Sequence, residues 1–210
     1  MKTREAKAMA RWQERPEHGF STVELLIVMI VIVVVTAIAV VQLPASLKNA
    51  RSDNALRQMV DQLRQAREYA IANRRFVQVT FPVAGGTYQV QYTVMNTLTP
   101  GGQAANTVYP AISLPFPLQF QTFGTLPDTP DGFGNGAAVF FGGVNGGPPG
   151  GMYFRSDGEF VNATTNLPIN GTVFMGSPGD VTTARAVTVL GTTGRVRGWR
   201  GSTGTAWTQF

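Results

Sequence analysis

The stretch from Leu25 to Val41 contains no charged residue, and the uncharged run continues to Leu47. A helix needs about 20 mostly apolar residues to cross the hydrocarbon core of a bilayer, so this run predicts a transmembrane helix. Basic residues outnumber acidic ones ahead of it: Lys2, Arg4, Lys7, Arg11 and Arg15 against Glu5, Glu14 and Glu17. The excess of positive charge predicts that the N-terminus stays cytoplasmic and that the chain crosses the membrane once.

A single carboxylate, Glu24, stands at the start of the apolar run. An ionised acid near hydrocarbon is costly, so such a residue is by default a functional candidate and should have a partner. The sequence around it reads "GFSTVELLIVMIVI", with the small residue Gly19 before the apolar core. A secretory signal has its small residues after the core, so a cut behind Gly19 would leave the whole helix in the mature protein. An uncleaved signal anchor is the alternative interpretation.

This string resembles the prepilin-peptidase signature of type IV pilins and type II secretion pseudopilins. The resemblance implies cleavage between Gly19 and Phe20, methylation of the new Phe20 amine, and a role for Glu24 in assembly. In a filament, the buried carboxylate of one subunit can pair with the Phe20 ammonium of a neighbour, which removes the desolvation problem of both charges. A pair between Glu24 and the amine of its own chain is the alternative, since the two groups are four residues apart.

Beyond the apolar run, Pro44 predicts a kink. The following segment to about Arg75 places apolar residues at spacings of three and four, which indicates an amphipathic helix continuing the span. These residues are Leu56, Met59, Val60, Leu63, Ala66 and Ala70. The "AR..A" pattern of Ala66, Arg67 and Ala70 resembles the region before the first strand in the GspH/FimT group of minor pilins and pseudopilins. The basic residues of this helix are predicted to face acidic filament neighbours or anionic lipids.

From Phe76 the hydrophobic period changes to two. "FVQVTFPVAGGTYQVQYTV" predicts a hairpin about Gly85 and Gly86, and "AAVFF", "MYFR", "TVFMG", "AVTVLG" and "RVRGW" predict further short strands. The predicted fold class is α+β, with a long N-terminal pilin helix packed on an antiparallel β-sheet or small β-sandwich. The predicted divisions are a cleaved leader 1–19, a membrane or filament-core helix 20–43, an amphipathic helix 44–75 and a β-rich head 76–210. Gly- and Pro-rich residues at about 96–151 are predicted to form surface loops or a partner-specific loop.

The sequence lacks the residues that several kinds of catalytic and metal site require. The chain has no cysteine and one histidine, His18, which lies in the predicted leader, so a mature chain has no histidine-based triad and no His/Cys metal site. No phosphate-binding loop motif is present. "DTPDGFGNG" is read as a turn, with a calcium loop as the weaker alternative. The prediction is a non-enzyme with no catalytic residue, no cofactor and no metal.

Charge is distributed unevenly along the head. Residues 76–180 hold one basic residue against five acidic ones, whereas residues 181–210 hold only basic ones: Arg185, Arg195, Arg197 and Arg200. Arg195 and Arg197 are two apart after Gly194, which predicts that they share one face of a strand. Together with Trp199 and Arg200 they are candidate DNA-binding residues, since guanidinium groups suit phosphates and an indole can stack on a base. "GRVR" also resembles a motif tied to DNA uptake in FimT-type minor pilins. The alternative is that these arginines discourage aggregation of an edge strand.

The resemblance implies a minor subunit of a pseudopilus in type II protein secretion, in the bacterial inner membrane with its head in the periplasm. The partners that it implies are other pilin or pseudopilin subunits, prepilin peptidase, inner-membrane lipid before assembly, and either DNA or secreted cargo. A type IV minor pilin that binds DNA for uptake is the first alternative. A single-span anchored binding protein that never polymerises is the second.

Overall fold

The computed structural model describes residues 19–95, 106–202 and 206–210, with residues 40–45 described by their backbone only. One long helix, α1, spans Thr22–Asn73. The strands are β1 Val77–Thr80, β2 Val83–Ala84, β3 Thr87–Val94, β4 Thr107–Val108, β5 Ile112–Ser113, β6 Gln119–Phe120, β7 Val139–Phe141, β8 Val144–Asn145, β9 Met152–Phe154, β10 Phe160–Asn162, β11 Gly171–Ser177, β12 Asp180–Leu190, β13 Arg195–Gly201 and β14 Trp207–Gln209. The predicted α+β fold class is therefore confirmed.

The chain divides into two compact units, residues 1–44 and residues 45–210. The described part of the first unit is the N-terminal part of α1, whose large apolar side chains are all exposed. The backbone of α1 continues as helix through Pro44, which lies at the boundary of the units. The kink at Pro44 and the predicted division boundaries stay predictions. The leader up to residue 18 and residues 96–105 of the Gly/Pro-rich region lie outside the described residues.

In the second unit, α1 contributes one continuous apolar stripe to the core. All six apolar residues predicted for the amphipathic helix are buried, and Ala55 extends the stripe by one position. Their spacing of three and four places them on one side of the helix, as expected for a helix that buries one face. The predicted amphipathic helix is thus confirmed.

The first sheet has the order β10-β9-β1-β3-β2, with β4 and β5 also pairing with β3, and every pairing is antiparallel. The predicted hairpin is present, since β2 and β3 are joined by Gly85 and Gly86, both with positive φ. A tight turn through Asp157 and Gly158 joins β9 to β10, as the Asp-Gly pair indicates.

The second sheet has the order β14-β13-β12-β11-β7-β8, with β6 also pairing with β11, again antiparallel throughout. Its inner face shares the main core with α1 and the first sheet, through Val173, Met175, Val187, Val189 and Val196. Its outer face carries a second cluster that contains Phe174, Trp199, Trp207 and Leu126. The head is therefore layered, with one core on the helix side of this sheet and a smaller one on the other side.

The edge-strand interpretation of the C-terminal arginines holds for part of "RVRGW". Among the described residues, Arg195 and Arg197 lie in the half of β13 that pairs with β12 alone. The final strand β14 pairs with the second half of β13, from Trp199 to Gly201, and the Phe210 amide donates to the Gly198 carbonyl. The apolar anchor for this extra strand is Trp207, which packs in the outer cluster.

Candidate functional site

The N-terminal candidate residues lie at the start of α1. Ser21 precedes the first helical residue, and its hydroxyl accepts a hydrogen bond from the Val23 amide at 3.4 Å, which is the geometry of a helix N-cap. Glu24 is in the first turn, where a negative charge is favoured by the helix dipole. Ser21 and Glu24 have the spacing of a capping box, a sequence signal for the start of the helix at this position. Phe20 is 79% exposed, so nothing in the described chain covers the predicted new N-terminus.

The helix that follows these residues has the properties of a membrane span. Among the described residues, Thr22–Ala39 is long and apolar enough to cross a bilayer, and none of it is buried. Its hydroxyl group at Thr36 donates to the Ile32 carbonyl at 2.7 Å, so this polar group is satisfied within the helix. Apolar surface of this extent needs a lipid or protein environment.

The C-terminal candidates lie on β13, and its register divides them between two faces. Arg195 and Arg197 pair with Leu190 and Thr188 of β12 and share one face, as predicted. Arg197 is bound at 2.9 Å by the Asp131 carboxylate, which also accepts from the Thr188 hydroxyl at 2.5 Å. The guanidinium of Arg197 is therefore already committed to a carboxylate of its own chain.

Trp199 is 5% exposed and lies in the outer cluster. Its indole N–H donates to the Thr188 hydroxyl at 2.9 Å, which links it to the Asp131 carboxylate. Its ring faces are packed against protein, so base stacking on Trp199, which the sequence suggested, is not possible in this arrangement. The loop that carries Asp131 covers this face of the sheet.

Arg200 lies on the opposite face of β13 and is paired with Asp53 of α1. The same carboxylate binds Arg185 of β12 at 2.7 Å. Arg185 is only 1% exposed, and its second nitrogen donates to the carbonyls of Thr182 and Ala184 at 3.0 and 2.8 Å. Burial lowers the pKa of Arg185, and the hydrogen bond to Asp53 opposes that effect. This cluster fastens the helix to the second sheet.

Arg195 differs from the other three candidates. Its side chain is exposed and has no ion pair among the described residues. It lines a cleft of about 480 Å³ between α1 and the β12–β13 turn, together with Arg64, Arg67, Glu68, Leu190, Thr193, Gly194 and Val196. The sequence did not single out Arg64 and Arg67 for this site, because their proximity to Arg195 depends on how the helix packs on the sheet.

The two arginines of α1 in the cleft, Arg64 and Arg67, make different hydrogen bonds. The Nε of Arg67 donates to the carbonyls of Gly158 and Thr193 at 3.3 and 3.0 Å, so this side chain ties two turns to the helix. Arg64 is exposed and reaches the Val196 carbonyl only at 3.5 Å, which is a weak contact. Arg64 and Arg195 are thus the exposed arginines among the residues that line the cleft.

The loop "DTPDGFGNG" has the conformation of a closed turn. The Asp128 carboxylate accepts from the amides of Thr129 and Gly134, both at 2.7 Å, and Asp131 is bound as described above. Across the described residues, no group of three or more His, Cys, Asp or Glu side chains is placed to hold a metal ion.

Comparisons with known proteins give one distant structural match. No protein-family model matches the chain, and no curated protein matches it in sequence. The solved structure of the minor pseudopilin EpsH from the type 2 secretion system of Vibrio cholerae is similar over 71% of this chain and 97% of its own, with 14% identity and a TM-score of 0.44.

Proposed function

We propose that the chain is a non-catalytic minor subunit of a pseudopilus in type II protein secretion, of the GspH/FimT type. The observation that carries the proposal is the string "GFSTVE" at the start of the apolar segment Thr22–Ala39, none of which is buried. The processing signal, the span and a β-rich head occur in the order that the pilin resemblance implies. Before assembly the chain resides in the inner membrane, and its partners are prepilin peptidase, lipid and other pilin-like subunits.

Assembly follows from the chemistry of the first five residues of the mature chain. Cleavage after Gly19 creates a positive charge on Phe20, four residues from the Glu24 carboxylate. In the core of a filament, an intersubunit pair between these groups removes two unpaired charges from an apolar environment. A register in which the pair forms is then strongly preferred over a shifted one, so Glu24 selects how each subunit docks.

The alternative of a DNA-uptake minor pilin rests on Arg195, Arg197, Trp199 and Arg200. Arg197 and Arg200 are bound by carboxylates, and Trp199 is buried, which leaves Arg195 as the candidate with an uncommitted side chain. No specific observation favours this alternative over the secretion subunit. The anchored binding protein differs from both because it requires no cleavage and no filament.

The test is to express the full chain in its own host and determine the N-terminus by mass spectrometry. We expect a mature chain that begins at N-methylated Phe20 and co-sediments with purified filaments. An intact precursor would exclude both the pseudopilus and the pilus role. A deletion strain then separates these two roles, since loss of protein export with normal DNA uptake supports the secretion subunit, and the reverse supports the uptake pilin.

A further inference from the structure

The cleft beside Arg195 has an excess of positive charge that the described chain does not neutralise. It contains three arginines and one glutamate, and none of these four forms an ion pair among the described residues. The carboxylates downstream of α1 are occupied elsewhere. Asp131, Asp157, Glu159 and Asp180 pair with cations, and Asp128 binds backbone amides.

Hydrogen bonds and close packing hold one wall of the cleft in place. Arg67 holds the turns at Gly158 and Thr193 against the helix, and Gly194, which follows Thr193 in the β12–β13 turn, has a φ of 60°. A Cβ on Gly194 would lie 2.0 Å from the Gly158 carbonyl oxygen, so this wall is closely packed. Two exposed arginines line this cleft, Arg64 on the helix and Arg195 on β13.

We propose that this cleft binds an acidic peptide segment of a partner protein, with Arg64 and Arg195 as the residues that hold its carboxylates. Guanidinium groups bind carboxylates through two parallel hydrogen bonds, which favours arginine over lysine at such a site. Leu190, which also lines the cleft and is partly exposed, supplies apolar surface for an aliphatic part of the peptide. The proposal concerns the second unit, residues 45–210, alone, so it stands whether or not the chain enters a filament.

Two features favour a peptide over a nucleic acid. The neighbouring cations Arg197 and Arg200 are bound by Asp131 and Asp53, so no track of free positive charge leads away along β13. Stacking on bases needs an exposed aromatic face, and Trp199 is buried.

The experiment measures fluorescence anisotropy of a labelled peptide, Gly-Asp-Glu-Val-Asp-Glu-Gly, with the full chain in non-ionic detergent micelles. Arg64→Gln with Arg195→Gln should weaken binding by about tenfold or more, because charge-assisted hydrogen bonds are lost. The matched control is Arg51→Gln with Arg57→Gln, two exposed arginines of α1 outside the cleft, and it should change affinity by less than about twofold. Glu68→Gln should tighten binding, since it removes the negative charge from the site.

Two further probes keep the result decisive if a variant unfolds. The unaltered chain should not bind the same peptide with Asn and Gln in place of Asp and Glu, and should bind a 12-residue oligothymidylate less tightly than the acidic peptide. Equal loss of binding in the cleft and control variants would overturn the proposal in favour of general charge attraction. Preferential binding of the oligonucleotide, lost with Arg64 and Arg195, would overturn it in favour of a nucleic-acid site.

Discussion

At the scale of single residues, Asp53 of α1 is a polar anchor between the helix and the second sheet. Its carboxylate is shared by Arg185, which is almost fully buried, and Arg200, which is half-exposed. Removing the charge leaves the Arg185 guanidinium desolvated without a counter-ion. We expect Asp53→Asn to lower the free energy of unfolding by about 3 kcal/mol, the lower end for breaking a buried pair, because Asp53 itself keeps some contact with water.

Guanidinium chloride unfolding, followed by the fluorescence of the buried Trp199 and Trp207, measures this change. Lys48→Met is the control, since it removes the exposed pair with Asp180 and should cost no more than about 1 kcal/mol. Replacing both Asp53 and Arg185 by Leu should recover much of the loss, because no buried charge remains. Equal effects of Asp53→Asn and Lys48→Met would show that the buried pair is not a structural anchor.

The turn that joins β9 to β10 gives a residue-scale pH dependence. The Arg155 guanidinium donates to Asp157 and thereby lowers the pKa of that carboxyl. A carboxyl whose pKa is depressed by folding stabilises the native state above its unfolded pKa of about 3.9, and this contribution is lost as pH falls through the lower folded value. We expect Asp157→Asn to reduce the acid-induced loss of stability in this range, measured as denaturation midpoints from pH 6 to pH 2.

The control for this titration is Asp61→Asn, an exposed helix residue without an ion pair among the described residues. It removes the same charge from the molecule without touching the turn. If both variants change the acid-induced fall in the denaturation midpoint equally, the effect comes from net charge and not from the Arg155 contact.

At the scale of elements, one closely packed junction lies between α1 and the turns at Gly158 and Gly194. Both glycines have positive φ, and Gly194 has no room for a Cβ. We expect Gly194→Ala to cost about 1 kcal/mol for the left-handed backbone and about 1 to 3 kcal/mol more for overpacking. Gly179→Ala is the matched control, since its φ is 73° and its Cβ would meet open space, and it should show the backbone cost alone.

Thermal unfolding of the two variants checks this prediction, and equal losses would contradict the role of packing at Gly194. The same junction forms one wall of the arginine cleft, so Gly194→Ala should also weaken the acidic peptide probe. Gly179→Ala should leave that binding unchanged, because it lies in the turn between β11 and β12.

The elements also show which parts of the fold a single sequence can predict. The stripe from Leu56 to Ala70 and the alternation from Val77 to Val94 are local patterns, and each led to the correct element. Burial of Trp199 depends instead on the loop around Asp131, which reaches the outer face of the second sheet from far along the chain. The cleft likewise joins Arg64 to Arg195 across more than a hundred residues. Period and spacing report which residues share a face, but not what covers that face.

At the scale of the whole molecule, the two units have opposite requirements. The head buries its apolar residues between a helix and two sheets, whereas the described residues of the first unit bury none of theirs. A chain that combines a buried core with an apolar helix left uncovered by its own described residues suits the proposed sequence of two environments. A bilayer can cover the helix before assembly, and the helices of other subunits can cover it in a filament.

If the chain has the proposed function, Glu24 distinguishes these two environments. In a membrane it would lie near the end of the span, where water and headgroups solvate a carboxylate, but in a filament core its charge would have to be paired. We expect Glu24→Ala to permit insertion and cleavage after Gly19 while strongly reducing the amount of chain recovered in filaments. The physical reason is the stranded Phe20 ammonium, whose burial without a partner costs about 3 to 5 kcal/mol.

Quantitative immunoblots of membrane and filament fractions, with mass spectrometry of the N-terminus, measure both steps in one strain. Ser21→Ala is the control because it removes the helix cap and leaves the charges intact. If loss of incorporation reflected a weaker helix start, Ser21→Ala would reproduce it. If Glu24 instead selects the docking register, then Glu24→Ala fails and Ser21→Ala assembles, while normal incorporation of Glu24→Ala would remove the intersubunit pair from the assembly mechanism.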